Sequence, residues 1–423
     1  MIISNRFPRY NEYNPTVRVW CITPQTDRCL HRFFDTSPIS PSGRYAALLQ
    51  MPQEERLPEP GEAAGIVLVD LHTAEERVVA QTFGWEPQMG ANINWGADDD
   101  SLFYNDVNPN TWQPLCVRLN PHTGEKRSMP GSIYRISPDG KTIISACPKR
   151  MRRTQFGYGV IVPDEFVPRN GGFQDDDGLY ALDTETGESR LLVSIKDVFD
   201  RAEPPIDKAL YEQGECYGFH CKFNPQGDRL LFTMRWFRTD LEQPWDMIKK
   251  GLKYWVLTMK PDGSDIRVAV GPEQWEKGGH HINWYPDGRR LSMNLCLDGD
   301  KQLYLVEVGA DGTNIGKIID TIPGSGHPTV HPNGRHIVTD SYGHEKVAFG
   351  DGTVPIRFID LQEKKEETIV RIPIANPGTL VSGALRVDPH PAWAPDHNHL
   401  VFNGYVGGTR RVFIADLSGV LAT

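Results

Sequence analysis

The feature that most restricts how this 423-residue chain can fold is a unit repeated seven times along it. Each copy is a short alternating segment, a tight turn and an apolar run, with the turns falling at Pro41, Ala97, Pro138, Pro225, Pro286, Pro332 and Pro395. Proline presets φ, Asp or Asn hydrogen-bonds the local backbone, and glycine supplies a positive φ, which together give a tight reversal. A second hairpin follows most copies, as at Leu182-Asp-Thr-Glu-Thr-Gly187. Two hairpins make a four-stranded antiparallel unit, and such units at intervals of about 40 to 90 residues suit radial arrangement. The expected fold is therefore all-β: one seven-bladed β-propeller of four-stranded antiparallel blades spanning residues 1–423. A solenoid or a pair of β-sandwiches would account less directly for seven similar units.

Closure leaves its own trace. The last copy reaches only a third strand, near Val412, before the chain ends. Val17-Arg-Val-Trp-Cys-Ile22, ahead of the first copy, has no blade of its own. That N-terminal strand is expected to complete the final blade and remove an open sheet edge. Departures from regular spacing mark insertions near residues 148–215, 238–253 and 376–389. The first should carry a helix over 195–211, and the second should be partly helical around Trp245.

With 39% hydrophobic and 24% charged residues the chain has material for a large core. A net charge of −10, spread along the sequence, disfavours nucleic acid as a partner. The one dense basic run, Lys149-Arg150-Met151-Arg152-Arg153, reads as a solvated loop. No apolar signal region stands at the N-terminus, and no segment approaches the roughly 20 apolar residues of a membrane span. Seven widely spaced cysteines without a C-x-x-C pair read as thiols in a reducing compartment. The expected setting is cytoplasmic, without a membrane partner.

Within the repeat, His220, His281, His327 and His390 each stand five residues before the turn proline of their copy. The equivalent positions in the other copies are Thr36, Asn92 and Ile133. Equivalent steps of a repeat occupy equivalent points in space, so four neighbouring blades should bring imidazoles to one mouth of the channel. One such histidine reads as a strand cap; four in succession point to a metal site or proton transfer. His327 and His390 are the leading ligand candidates, with Asp388 as a third from Asp388-Pro-His390. Asp388 reads equally as a turn residue before proline. His280, His331 and His344 are additional, and His331 reads as a turn residue.

On the seven-bladed plan, Gly279-His-His281-Ile-Asn-Trp, Ser325-Gly-His327-Pro and His390-Pro-Ala-Trp-Ala-Pro-Asp396, the chain resembles the oligogalacturonate lyases. The specific matches lie in the last three blades. The resemblance implies β-elimination on uronate-containing oligosaccharides, with a divalent metal, typically manganese, held by histidines and a glutamine. It places His281 at the catalytic base and His327 and His390 at two metal ligands. The chain departs where the family has a further histidine, here Asp388, and a glutamine, here Leu385; calcium or zinc are therefore also candidate ions. Other propeller lyases, acting on glucuronate-bearing polysaccharides, use a histidine and arginine site.

β-Elimination removes the C5 proton of a uronate and expels the C4 substituent, and it requires neutralisation of the carboxylate by a metal or an arginine. His281 would be the base. Arg235 is the candidate carboxylate partner, with a surface arginine as its plainer reading. His220 would assist as acid, base or ligand. The expected partner is an acidic oligosaccharide. Two other classes stay open: a non-enzymatic TolB-like binding propeller, and a glycoside hydrolase, which needs two facing carboxylates. A serine peptidase fits less, since no G-x-S-x-G elbow is present.

Overall fold

In the computed structural model the repeat becomes seven four-stranded antiparallel sheets arranged as the blades of a propeller. The structure describes residues 1–155, 157–238, 251–375 and 383–422. Six sheets follow chain order. In the seventh, Arg18–Cys21 pairs with Thr409–Asp416, outside His399–Val406 and Ala392–Trp393. Arg18 lies opposite Asp416 and Cys21 opposite Phe413, so the N-terminal strand closes the ring as the sequence predicts. Strand alternation sends Val19 and Trp20 to opposite faces: Val19 packs with Val338 and Val354, Trp20 with Ala46 and Val67 of the first blade.

The core lies between blades. Leu49 and Leu68 of the first blade pack with Trp95, Tyr104 and Val117 of the second, and this inter-blade layering makes the middle strands apolar on both faces. The repeat tryptophans bind blades together as well as filling space. Trp95 Nε1 donates to Pro38 O of the preceding blade at 2.8 Å, and Trp284 Nε1 to Lys222 O at 3.4 Å.

The first blade breaks the pattern. Its inner strand pairs Leu30 with Leu49, leaves the sheet, and returns only at the Ile39–Ala46 bridge. The excursion runs into the central channel, where Phe33 and Phe34 are fully buried. Thr36 is consequently not at the rim as its repeat position suggests. It lies among Arg32 and Arg135, both of which donate to its hydroxyl. His31 takes the rim position instead, its backbone N–H donating to Asn403 Oδ1 at 2.9 Å.

In the first insertion the expected helix over 195–211 is confined to Ile195–Arg201, opened by a capping box between Ser194 and Asp197. Pro204 and Pro205 follow, and neither can donate a backbone hydrogen bond to prolong it. The basic run is also not a solvated loop. It begins in the short helix Pro148–Met151; Lys149 is buried, Arg150 pairs with Asp177 at 3.0 Å and Arg152 with Asp164 at 2.6 Å. Most of the second insertion, with Trp245, and residues 376–382 of the third lie outside the described residues. All seven cysteines are free thiols. Among the described residues no helix is long and apolar enough to cross a membrane.

Candidate active site at the histidine rim

The backbone at the rim is built to turn side chains inward. Asn92, His281 and His390, at the same repeat step, have φ of 50°, 59° and 50°, a left-handed conformation sparsely populated by residues other than glycine. A bulge between His280 and Asn283 accompanies it in the fifth blade, and bulges re-aim side chains. In the sixth blade Gly326 takes the left-handed turn (φ 58°) just before His327; a Cβ there would collide with Asp340 O and Oδ1.

A second repeat step, one strand outward, holds these turns in place. Asn105 accepts from Ile133 N at 2.7 Å and donates to Ile133 O at 3.0 Å, clasping the next blade. Asn294 donates to Gly326 O at 2.8 Å, and Asn403 accepts from His31 N. In the sixth blade the step is Asp340, whose Oδ2 accepts from His390 N at 3.0 Å. A carboxylate has capacity to spare, and Oδ1 also accepts from His327 N at 2.7 Å and His327 Nδ1 at 2.8 Å.

The four predicted histidines do converge. His281 and His327 have ring centroids 3.8 Å apart, and His327 and His390 are 4.3 Å apart. All four surround Phe33, whose ring lies 5.3, 6.1, 5.7 and 4.7 Å from those of His220, His281, His327 and His390.

Ligand atoms of His327, Asp388 and His390 lie within 4.8 Å of one another, all buried. Because His327 Nδ1 is committed to Asp340, its lone pair is on Nε2, and among the described residues that atom has no hydrogen-bond partner; neither ring nitrogen of His390 has one there either. Carboxylate-oriented histidine with a free second nitrogen is the usual preparation of a metal ligand. Asp388 Oδ2 stands 3.8 Å from His390 Nε2 and accepts from Arg386 Nε at 2.7 Å. Two imidazoles and a carboxylate thus fit a borderline divalent cation such as manganese or zinc better than calcium, which prefers oxygen throughout.

His281 stands beside this group with its tautomer fixed by its neighbours. Asn294 Nδ2 donates to Gly326 O and to His280 Nδ1, the latter at 3.2 Å, so His280 Nδ1 is an acceptor. His281 Nδ1 must then be the donor, to Gly326 O at 2.5 Å and His280 Nδ1 at 2.7 Å. That leaves the lone pair on Nε2, where Tyr342 Oη donates at 3.1 Å. Burial, and then the adjacent His327 and His280, hold His281 well below its usual range, so the ring is neutral at pH 7. Burial likewise raises the Tyr342 hydroxyl, which stays protonated.

Arg235 is buried, not a surface residue. Its guanidinium lies 3.4 Å from the Phe219 ring centroid and donates to Thr154 Oγ1 at 3.4 Å. Among the described residues it forms no salt bridge, and its Nε has no partner. His220 Nε2 is also without one. Burial, then Lys222 and Arg235, lower His220 well below its usual range. His220 is outside the three-residue ligand group.

Sequence reasoning did not single out Asp340, Tyr342, Arg386 or His31. Asp340 had a signal: it occupies the step held by Asn105, Asn294 and Asn403 in their copies. Arg386 follows Leu385, the position at which a glutamine was expected. His280 supports His281, His344 stacks on Tyr342 at 5.5 Å, and His331 bonds His397 O at the turn end, as a turn residue would.

No protein-family model matches the chain, and no curated protein does. Among solved structures, an oligogalacturonate lyase in complex with manganese is similar over 100% of both chains, with 16% identity and a TM-score of 0.65. An oligogalacturonate lyase from Vibrio parahaemolyticus is similar over 98% of both chains, with 15% identity and a TM-score of 0.61. The β-propeller domain of the Trilobed protease from Pyrococcus furiosus covers 93% of this chain and 96% of its own, at 11% identity and a TM-score of 0.50. At such identities the likeness establishes architecture. The chain is a seven-bladed β-propeller that resembles oligogalacturonate lyases along its whole length.

Proposed function

We propose that this protein is a lyase that cleaves uronate-containing oligosaccharides by β-elimination. The observation that carries the reading is the pairing of a neutral base with a metal-type ligand set: His281 Nε2 offers its lone pair beside the unpartnered nitrogens of His327 and His390. A divalent metal held by His327, His390 and Asp388 would neutralise the substrate carboxylate and so acidify its C5 proton. Arg235, without an acidic partner among the described residues, offers a guanidinium for the same carboxylate or a neighbouring one.

In the reaction His281 Nε2 takes the C5 proton, and the C–H electron pair becomes the C4–C5 double bond. The C4–O bond breaks, and the leaving oxygen takes the Tyr342 hydroxyl proton. The proton on His281 then returns to Tyr342 along their contact, restoring both groups. An acid and a base 3.1 Å apart serve one face of the sugar. This favours syn elimination, which suits glucuronate, whose C5 hydrogen and C4 oxygen share a face; in galacturonate they lie on opposite faces. A hydrolytic reading has less support, since Asp340 is engaged by His327 and His390, and Asp388 by Arg386.

The test is ultraviolet absorbance of the conjugated double bond on glucuronate- and galacturonate-containing oligosaccharides, with manganese supplied. Absorbance that rises with the wild type and is lost in His281→Ala is the expected result. New reducing ends without absorbance would replace the lyase reading with a hydrolase.

A further inference from the structure

The histidine rim is one end of the central channel. The opposite end holds a cavity of about 520 Å³ at the turn end of the inner strands, lined in part by the repeat prolines Pro138, Pro225, Pro286 and Pro332. That size lies within the roughly 300–1,000 Å³ of small-molecule sites. Phe33 and Phe34 separate the two ends: Phe33 meets the four imidazoles, while Lys222 Nζ lies 4.8 Å from the Phe34 ring centroid.

The charges at this end do not balance. Asp35, Arg135 and Lys222 line the cavity, and Arg32 stands behind them. Lys222 Nζ lies 2.8 Å from Asp35 Oδ2, and Arg32 Nη1 lies 3.8 Å from Asp35 Oδ1. Arg135 donates to Thr36 and has no salt bridge among the described residues. Three cations thus share one carboxylate, leaving two positive charges in a low-dielectric setting. Buried charge without a counter-charge is costly, so an anion entering here would be held by the imbalance. Burial lowers both Lys222 and Arg135, the response expected of cations short of partners, while Asp35 opposes it.

The cavity wall also carries Trp284 and Trp393, and Trp393 Nε1 is buried without a hydrogen-bond partner among the described residues. Indole surfaces beside a guanidinium and an ammonium suit a ring that bears a carboxylate. We propose that this second mouth is a binding site for a small carboxylate-bearing sugar, distinct from the histidine rim and independent of any chemistry there.

Isothermal titration calorimetry on the full chain tests this with D-glucuronate, glucose and inorganic phosphate as probes. Glucuronate should bind saturably and more weakly as salt rises, while glucose should not bind. Arg135→Gln should weaken binding at least tenfold and Arg135→Lys less. Trp393→Phe, which keeps an aromatic ring while removing the indole N–H, should weaken it severalfold. His390→Ala should leave it unchanged. Melting temperatures establish that each variant is folded, and the tryptophan and lysine variants decide the matter if Arg135→Gln is not. The proposal fails if glucuronate does not bind, if binding survives both Arg135→Gln and Trp393→Phe, or if it is lost in His390→Ala. Phosphate binding as tight as glucuronate would overturn the sugar acid in favour of a generic anion.

Discussion

His327 donates its Nδ1 proton to Asp340 Oδ1 at 2.8 Å, while Oδ2 of the same carboxylate accepts the backbone N–H of His390 at 3.0 Å. One buried side chain therefore sets the tautomer of one proposed ligand and the backbone of the other. Asp340→Asn brings an amide donor into a site where every partner is also a donor. Metal affinity should fall about 10- to 100-fold, as for other partners that orient a ligating histidine. Titration with manganese or zinc checks this, and unchanged affinity would remove Asp340 from that role.

Chelation should lower the melting temperature modestly without unfolding the propeller, whose blades close through strand pairing. A metal at 100 times its dissociation constant adds about 2.7 kcal/mol. Differential scanning calorimetry before and after chelator, with His327→Ala as control, measures the difference. A chelator shift that persists in His327→Ala would place the metal elsewhere.

Tyr342→Phe keeps the ring that stacks on His344 and removes the hydroxyl that meets His281. General acid assistance is typically worth about 10²- to 10⁴-fold, so kcat on uronate oligosaccharides should fall by about that much with KM little changed. If KM rises and kcat holds, the hydroxyl binds substrate instead. Preference for galacturonate over glucuronate would contradict same-face elimination while leaving the lyase intact.

Acid should destabilise the fold through histidines outside the ligand group. Burial lowers His31 to about 4 and His220 well below 6.5. Below about pH 6.5 the unfolded chain binds protons that the folded chain refuses, so stability is full above that pH and declines as pH falls toward 4. Each such histidine contributes a slope of about 1.36 kcal/mol per pH unit. Urea unfolding of chelated protein at several pH values should give a shallower decline for His220→Gln; an identical slope would mean that His220 titrates normally.

Removing residues 1–22 should leave Thr409–Asp416 as an open edge and uncover the partners of Val19 and Trp20. Burial of two such side chains is worth about 3 to 6 kcal/mol, and an exposed edge invites aggregation. Light scattering during thermal unfolding checks both effects. A truncated protein that melts like the full chain would disprove the closure.

Much of this was legible because repeats carry position. The seven tight turns counted the blades, the orphan N-terminal strand announced the closure, and the shared step of His220, His281, His327 and His390 put them at one rim. The same logic failed where a copy departs from its own count. The excursion after Leu30 makes Thr36 an interior residue and His31 a rim residue, and no turn signal marks that shift. Asp340 was readable in principle, but a lone acid at a strand end looks ordinary until its neighbours prove to be asparagines at the same step. Tyr342 and Arg386 come from connections outside the repeat, where spacing gives no address. Arg235 reads as an ordinary strand-end arginine until its burial and its packing on Phe219 are seen.

Phe33 and Phe34, packed edge to face and fully buried, plug the central channel between the histidines and the proline-lined cavity. A polymer cannot be threaded from one to the other, so anything that reacts at the histidines departs through the opening by which it arrived. On the proposed function, such a dead end would favour chain ends and short fragments, with each departing piece contending with the next arrival for the same doorway.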